Sequence, residues 1–358
     1  MQRRSVLLAA LAAASSTAVR AVEVSERPAR LSALASRRLV TGIARADGLL
    51  VAVGQRGHIV VSSDGGQTWA QATVPVSSDL TAVRFVDAKV GYVTGHDGLV
   101  LGTRDGARSW IRLLDGRRAN TLVLEQMKTR AAAADASEQD RKLLGEAQRN
   151  QEAGPDKPFL DLHFSNADEG FVVGAYGLVM HTADGGRNWT SWYDRVDNPQ
   201  LLNLYAVCAF QGSHYIAGEG GLLLKLDRDG KRFRALASPY KGSFFGIVAT
   251  SAGVLAYGMR GNAFLSEDEG ASWKPVRSGL AASIVASAVH GVDADGTLAL
   301  VDQGGGIVVS GDGGRNFASA PIRSPMALAA VAFSAKTQLV VGGPAGLRTI
   351  ELTPKDKP

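Results

Sequence analysis

An eight-residue motif returns five times along this 358-residue chain, and it limits the possible folds more tightly than any other feature. It reads Ser or Thr, any residue, Asp, any residue, usually Gly, two more residues, then Trp or Phe. The copies are Ser62–Trp69, Thr103–Trp110, Thr182–Trp189, Ser266–Trp273 and Ser310–Phe317. Their aspartates are Asp64, Asp105, Asp184, Asp268 and Asp312, and only the second copy lacks the glycine, with Ala107 there. A degenerate sixth stretch, Leu226–Phe233, keeps a glycine and the aromatic but loses the hydroxyl residue and the Asp at their usual positions. The closing aromatics are spaced by 41, 79, 44, 40 and 44 residues, so one interval is nearly double and holds an insertion. A unit of about 40 residues containing four short β-runs has the size of a propeller blade.

A second marker keeps step with the first. The pairs Gly54/Gly57, Gly95/Gly98, Gly174/Gly177, Gly218/Gly221 and Gly258/Gly261 share a G-x-x-G spacing, and an apolar run follows each. Asp302 takes the first position of the next pair, and Gly342 opens the last unit, which ends near Leu352 after its third strand. The expectation is an all-β, seven-bladed propeller over residues 39–352. Residues 22–38 would close the last blade, with the apolar stretch Leu31–Leu34 as its missing strand, and residues 353–358 would form a tail.

Each aromatic box is first a turn device between third and fourth strands. Its Asp and Ser/Thr serve turn backbone, its Gly takes the left-handed position, and its aromatic packs between sheets. One carboxylate per turn is a poor cage for calcium, and neither a metal nor a cofactor is expected.

Residues 1–21 read as an export signal: Arg3 and Arg4, the apolar run Val6–Ala14, then Val19-Arg20-Ala21. The expected location is the periplasm. The formal charge of +5 falls to +2 without Arg3, Arg4 and Arg20, which gives no support to nucleic-acid binding. Cys208 is the only cysteine, so no internal disulfide can form.

The long interval lies between blades two and three. From Arg117 to Pro158 the composition turns to Ala, Glu, Gln, Lys and Arg, which predicts a helical hairpin or protruding arm. Asp135–Gln139 is the expected start of its second helix, and Gly154-Pro155 its end. In a four-stranded meander the insertion shares a face with the G-x-x-G turns, opposite the boxes. The candidate partner-binding residues on that face are Arg56, His96, Asp97, Tyr176, Glu219, Arg260 and Gln303 around the channel, with Arg117, Arg118, Arg195, Lys241 and Arg323 in loops expected to reach it. Arg and Tyr on a loop-built rim suit protein recognition.

No nucleophile elbow, paired-histidine zinc motif or nucleotide loop is present, and the six histidines are scattered. Sialidases carry similar boxes, so a glycosidase built on Arg56, Arg195, Arg260, Tyr176 and Glu219 is the alternative. The Arg-Ile-Pro signature of that family is missing. The repeats identify a scaffold and not a reaction.

The shared blade pattern V-G-x-x-G, apolar run, S/T-x-D-G-G-x-x-W occurs as Val53–Trp69 and Val173–Trp189, and Leu160–Gly177 adds the matching inner strand. This pattern resembles the photosystem II assembly and stability factor family of cyanobacteria and chloroplasts (Ycf48- or Hcf136-like). The resemblance covers nearly all of residues 39–352. It implies a seven-bladed, non-enzymatic assembly factor that holds a membrane-protein partner through an Arg-containing face; family members chaperone the D1 reaction-centre precursor. The insertion and the short bacterial leader depart from the family pattern. They direct the expectation to an envelope protein complex or transporter in a non-photosynthetic bacterium, with peripheral contact to the membrane.

Overall fold

The computed structural model describes residues 23–291, 296–320 and 325–352; the expected export signal and Arg323 fall outside them. Blade one holds β1 (Val40–Ala46), β2 (Leu49–Gly54), β3 (Ile59–Ser62) and β4 (Ala70–Gln71). Blade two holds β5 (Leu80–Phe85), β6 (Gly91–Gly95), β7 (Leu99–Thr103) and β8 (Ile111–Leu114). The insertion follows as α1 (Gly116–Ala131) and α2 (Glu138–Ala153). Blade three is β9 (Phe159–Phe164), β10 (Gly170–Gly174), β11 (Val179–Thr182) and β12 (Thr190–Ser191). Blade four is β13 (Leu204–Phe210), β14 (Ser213–Gly218), β15 (Leu223–Leu226) and β16 (Phe233–Ala235). Blade five is β17 (Phe244–Ala249), β18 (Val254–Gly258), β19 (Ala263–Ser266) and β20 (Lys274–Val276). Blade six is β21 (Ile284–His290), β22 (Thr297–Asp302), β23 (Ile307–Ser310) and β24 (Ala318–Ser319). Blade seven has three strands, β25 (Ala330–Ala335), β26 (Gln338–Gly343) and β27 (Gly346–Glu351).

Every sheet is an antiparallel meander in chain order. Each inner strand neighbours that of the next blade, and β25 meets β1 to close the ring. The core therefore lies between blades, in clusters such as Val53, Leu80, Val93 and Trp110. Second strands are covered on both faces, so β10 and β18 are buried throughout and read as continuous apolar runs.

Two expectations need correction. Leu31–Leu34 form no strand: Leu31 is 74% exposed, and the chain enters a short 3-10 turn at Ala35–Arg37 that packs on β27. Backbone pairing is lost there because residues 24–32 are already committed to blade one. Ala29 N donates to Val74 O, Ser77 N to Val24 O, and Ser32 N to the Gln71 side chain.

The insertion is a helical hairpin, but it does not protrude. Met127, Val123, Ala119, Leu143 and Ala147 are buried in one cluster with Phe159, Trp189 and Tyr193 of blade three. Asp115 caps α1 by accepting from Arg118 N, and Ser137 with Asp140 forms a reciprocal capping box on α2. Apolar residues at positions 119, 123 and 127 recur every four residues, placing them on one stripe of α1.

Candidate functional site

The boxes connect third to fourth strands, as the spacing predicts. In each, the hydroxyl residue and the Asp bridge: Ser62 Oγ donates to Asp64 Oδ1 at 2.7 Å, while Gly66 N donates to Ser62 Oγ at 2.9 Å. Thr68, Ser109, Asn188, Ser272 and Asn316, just before each aromatic, donate a side-chain hydrogen bond to the second carboxylate oxygen of Asp64, Asp105, Asp184, Asp268 and Asp312. That donor residue is a recurrent signal the sequence reading passed over. These bonds hold the carboxyls low. The Ser109 hydroxyl leads in taking Asp105 to about 2, and the Ser272 hydroxyl does the same for Asp268. Trp110 and Trp189 are buried, whereas Trp69, Trp273 and Phe317 are half-buried. In the degenerate stretch Asp227, displaced in sequence from the usual position, accepts from Lys231 N and Arg232 N. Carboxylate capping of that turn is therefore retained in a shifted register.

The G-x-x-G turns occupy the opposite face. At Gln55–His58, His58 N donates to Gln55 O, while Arg56 and Gly57 both have positive φ (57° and 71°). This is a type I′ turn, whose two central residues both need the left-handed region. The residues ahead of the closing glycine are Arg56, Asp97, Tyr176, Gly220 and Arg260, with φ between 55° and 61°. Glycine adopts this conformation freely, while L side chains there cost about 1–2 kcal/mol. Four of the five turns nevertheless carry a side chain at that position, and three of the four (Arg56, Tyr176 and Arg260) are large and exposed.

These turns are tied to the next blade by residues the sequence reading missed. Arg56 N donates to Asp79 Oδ1 at 2.7 Å, Tyr176 N to Asn203 Oδ1 at 2.9 Å, Gly220 N to Ser243 Oγ at 3.3 Å and Arg260 N to Ser283 Oγ at 3.4 Å. Each acceptor immediately precedes the next blade's inner strand. Asn203 also donates to Glu219 Oε2 at 2.9 Å, so Tyr176 and Glu219 are brought together through it. Lys157 Nζ lies 5.0 Å from the centre of the Tyr176 ring.

On blade two, Gly116 N donates to Asp97 O, which sets the start of α1, with Arg117 and Arg118, beside exposed His96. Arg117 pairs with Glu23. Gln303 and Lys241 are exposed, Gln303 in the turn after β22 and Lys241 just ahead of β17.

Arg195 departs from the expectation. Phe233 N, at the box end of β16, donates to Arg195 O at 2.8 Å, and the Arg195 guanidinium sits 5.2 Å from the Trp192 ring. It lies on the outer wall, because the chain after β12 first runs beside blade four's outer strand. Arg56 and Arg260 stand on blades one and five, three blades apart around the ring. The arginine trio of the glycosidase alternative is therefore not assembled.

The channel mouth on the G-x-x-G face is built differently from the expectation as well. In six blades the inner strand shifts register by one residue at its start, and the extra residues are Thr41, Thr81, Leu160, Tyr205, Phe245 and Val285. All six line a cavity of about 830 Å³. Inside it Arg84 Nη2 lies 3.1 Å from Asp161 Oδ1, while Val207 N donates to Asp161 Oδ2. Burial raises the Asp161 carboxyl, with the Arg84 charge opposing. Burial likewise pushes the Cys208 thiol up, which leaves it an inert core group.

Comparison with known proteins places this geometry. A family model described as photosynthesis system II assembly factor YCF48 matches residues 38–122 and 146–285, leaving most of the helical hairpin between the two segments. The photosystem II stability/assembly factor HCF136 of Oryza sativa subsp. japonica chloroplasts is 25% identical over 183 residues, covering 50% of this chain and 40% of the rice protein. The match thus spans well under two thirds of that relative. A solved structure described as YCF48 bound to D1 peptide superposes with a TM-score of 0.62 at 14% identity, covering 89% of this chain and 95% of that one. YCF48 from Cyanidioschyzon merolae gives 0.61 at 16%, covering 91% and 98%. The GH74 enzyme of Niastella koreensis gives 0.61 at 13%, covering 89% and 53%, a likeness of fold. With the family model matching more than half of its residues, this chain belongs to the photosynthesis system II assembly factor YCF48 family.

Proposed function

We propose that this protein is an exported, non-enzymatic assembly factor that holds a segment of a membrane-protein partner on its G-x-x-G face. The observation that carries the reading is the strained set Arg56, Tyr176 and Arg260. Glycine is the relaxed choice at this position and occurs there in blade four as Gly220. Keeping large exposed side chains at a conformational cost, on one face of the ring, points to what those side chains touch. Arg and Tyr are the residue types that anchor protein interfaces. The relative described as bound to a D1 peptide supports recognition of a polypeptide segment. An envelope complex or transporter is the partner class, and the periplasm the compartment, because of the Arg3-Arg4 and Val6–Ala14 leader pattern.

The test uses the double variant Arg56→Gly/Arg260→Gly as bait beside the wild type in detergent extracts of the native envelope. An integral membrane protein should be retained by the wild type and lost by the variant, which keeps its fold because glycine fits the turn. Equal retention by both would sink the reading.

A further inference from the structure

Blade seven ends differently from the other six. Their outermost strands, β4, β8, β12, β16, β20 and β24, are two to four residues long, whereas blade seven ends on the six-residue β27. Short outer strands are how sheets avoid offering an edge to other chains. Leu352 N donates to Thr337 O at 2.7 Å, which fixes the ladder's alternation. Arg348 and Ile350 direct N–H and C=O toward β26, while Leu347, Thr349 and Glu351 direct theirs outward.

A second observation marks the same place. In blades three and five the second box glycine lies under a leucine in or just after the preceding blade's outermost strand: Gly186 under Leu113 of β8, and Gly270 under Leu236, one residue past β16. Both glycines are buried. Gly66 of blade one lies against Val340 and Thr349 from blade seven's second and third strands and Leu50 of its own blade, and it is half-exposed. Among the described residues no fourth strand lies beyond β27 to cover it.

We infer that this edge, uncovered among the described residues, is a strand-addition site for an extended segment of a partner polypeptide, distinct from the G-x-x-G face and independent of the function proposed for it. The 3-10 turn at Ala35–Arg37 closes the Gly346 end, with Ser36 O and Arg37 Cα against that glycine. This leaves Thr349 and Glu351, a length equal to the shorter outer strands elsewhere. An added strand runs antiparallel to β27, so its C-terminal end approaches the exposed Arg37 and Arg38. Charge complementarity selects a segment with an apolar residue over Gly66 followed by acidic residues.

The probe is a synthetic peptide of alternating Thr and Val with two C-terminal Asp, against a counterpart ending in two Lys. Hydrogen exchange at the Thr349 and Glu351 amides should be fast in the free protein and at least about tenfold slower with the acidic peptide. The Lys-ended peptide should bind about tenfold more weakly, a difference of about 1.4 kcal/mol. Thr349→Pro should abolish binding without loss of fold, since the Thr349 N–H points outward. Arg37→Glu/Arg38→Glu, on exposed side chains, should reverse the peptide preference. Three outcomes overturn the inference. One is amides already protected in the free protein, whether by its own chain or by a concentration-dependent second copy. The others are amides unmoved by the peptide, and binding indifferent to both variants.

Discussion

Met127→Ala tests whether the helical hairpin belongs to the propeller's core. Met127 is fully buried on α1, packed with Val123, Leu143 and Ala147 in the cluster that includes Trp189 and Tyr193. Truncating a buried Met to Ala removes transfer energy and leaves a cavity, costing about 2–5 kcal/mol. The lower half of that range, about 3 kcal/mol, applies because a two-helix layer collapses more readily than a sheet interior. Unfolding entropy of about 2.1 cal/mol/K per residue gives roughly 0.7 kcal/mol/K for a chain of this size, so the midpoint should fall by about 4 °C. Calorimetry reads this directly, with the exposed Lys128→Ala as a control expected within about 0.5 kcal/mol of wild type. The expected result is one cooperative transition, moved as a whole. A main transition that stays in place while a small separate one shifts would refute the packing argument and make the hairpin an independent arm. The result also bears on deletion experiments. Removing residues 118–157 would strip cover from Phe159, Trp189 and Tyr193, so loss of a partner in that deletion would reflect damage to blade three as readily as loss of a contact.

The remaining predictions are shorter. Arg56→Gly and Arg260→Gly should each raise stability by about 0.5–1 kcal/mol, as left-handed strain is relieved net of glycine's backbone entropy; a loss in urea midpoint would contradict the strain argument. Arg84→Met leaves Asp161 buried and unpaired and should cost about 2–3 kcal/mol, discounted because the Arg84 side chain is 49% exposed. Adding Asp161→Asn should restore most of that in a double-mutant cycle, and no restoration would show the pair to be incidental. His163 is lowered to about 4 by burial, with His214 and Arg84 adding to it. Above the ordinary value of 6.5 the ring is neutral in both states; between 6.5 and about 4 only the unfolded chain takes up the proton, so stability falls as pH drops through that window, by roughly 3 kcal/mol. His163→Gln should flatten urea midpoints measured between pH 7.5 and 4.5, and an unchanged slope would remove His163 as the cause.

The ring was legible because its repeat is written in residues with single physical jobs. Gly, Asp and Trp or Phe at fixed offsets mark the same turn in five blades, and those five copies with the degenerate sixth fix the period. The insertion's position and helical nature followed from the doubled interval and its composition. What stayed hidden was geometry that depends on a neighbour. The bulged residues Thr41, Thr81, Leu160, Tyr205, Phe245 and Val285 share no residue type; only backbone register makes them equivalent. Asp79, Asn203, Ser243 and Ser283 differ in chemistry yet accept the same kind of hydrogen bond. Arg195 looked like a rim residue because loops after fourth strands lead to the G-x-x-G face, but this loop first pairs Val196 beside Phe233. The apolar stretch at Leu31–Leu34 suggested a strand, and hydrogen bonds from residues 24–32 to blade one diverted it.

The insertion and the candidate face are one construction. Four seams are latched by a turn N–H reaching a polar side chain ahead of the next inner strand. At the seam between blades two and three that position is Pro158, whose ring has no acceptor. The turn there compensates through its own groups: Asp97 O accepts from Gly116 N, and Asp97 Oδ2 accepts from Ser78 Oγ at 2.6 Å. The bond to Gly116 fixes the first residue of α1, so the hairpin substitutes for the missing latch at the point where it enters. The backbone at the start of α1, which carries Arg117 and Arg118, is consequently fixed to the blade-two turn, and Arg117 is further paired with Glu23. A surface whose anchors are set by main-chain bonds loses little conformational freedom on binding. At this seam, then, the rigidity of the turn and the placement of the insertion rest on the same main-chain bond, and Gly116→Ala, whose Cβ would meet Asp97 O and Pro155, should disturb both together.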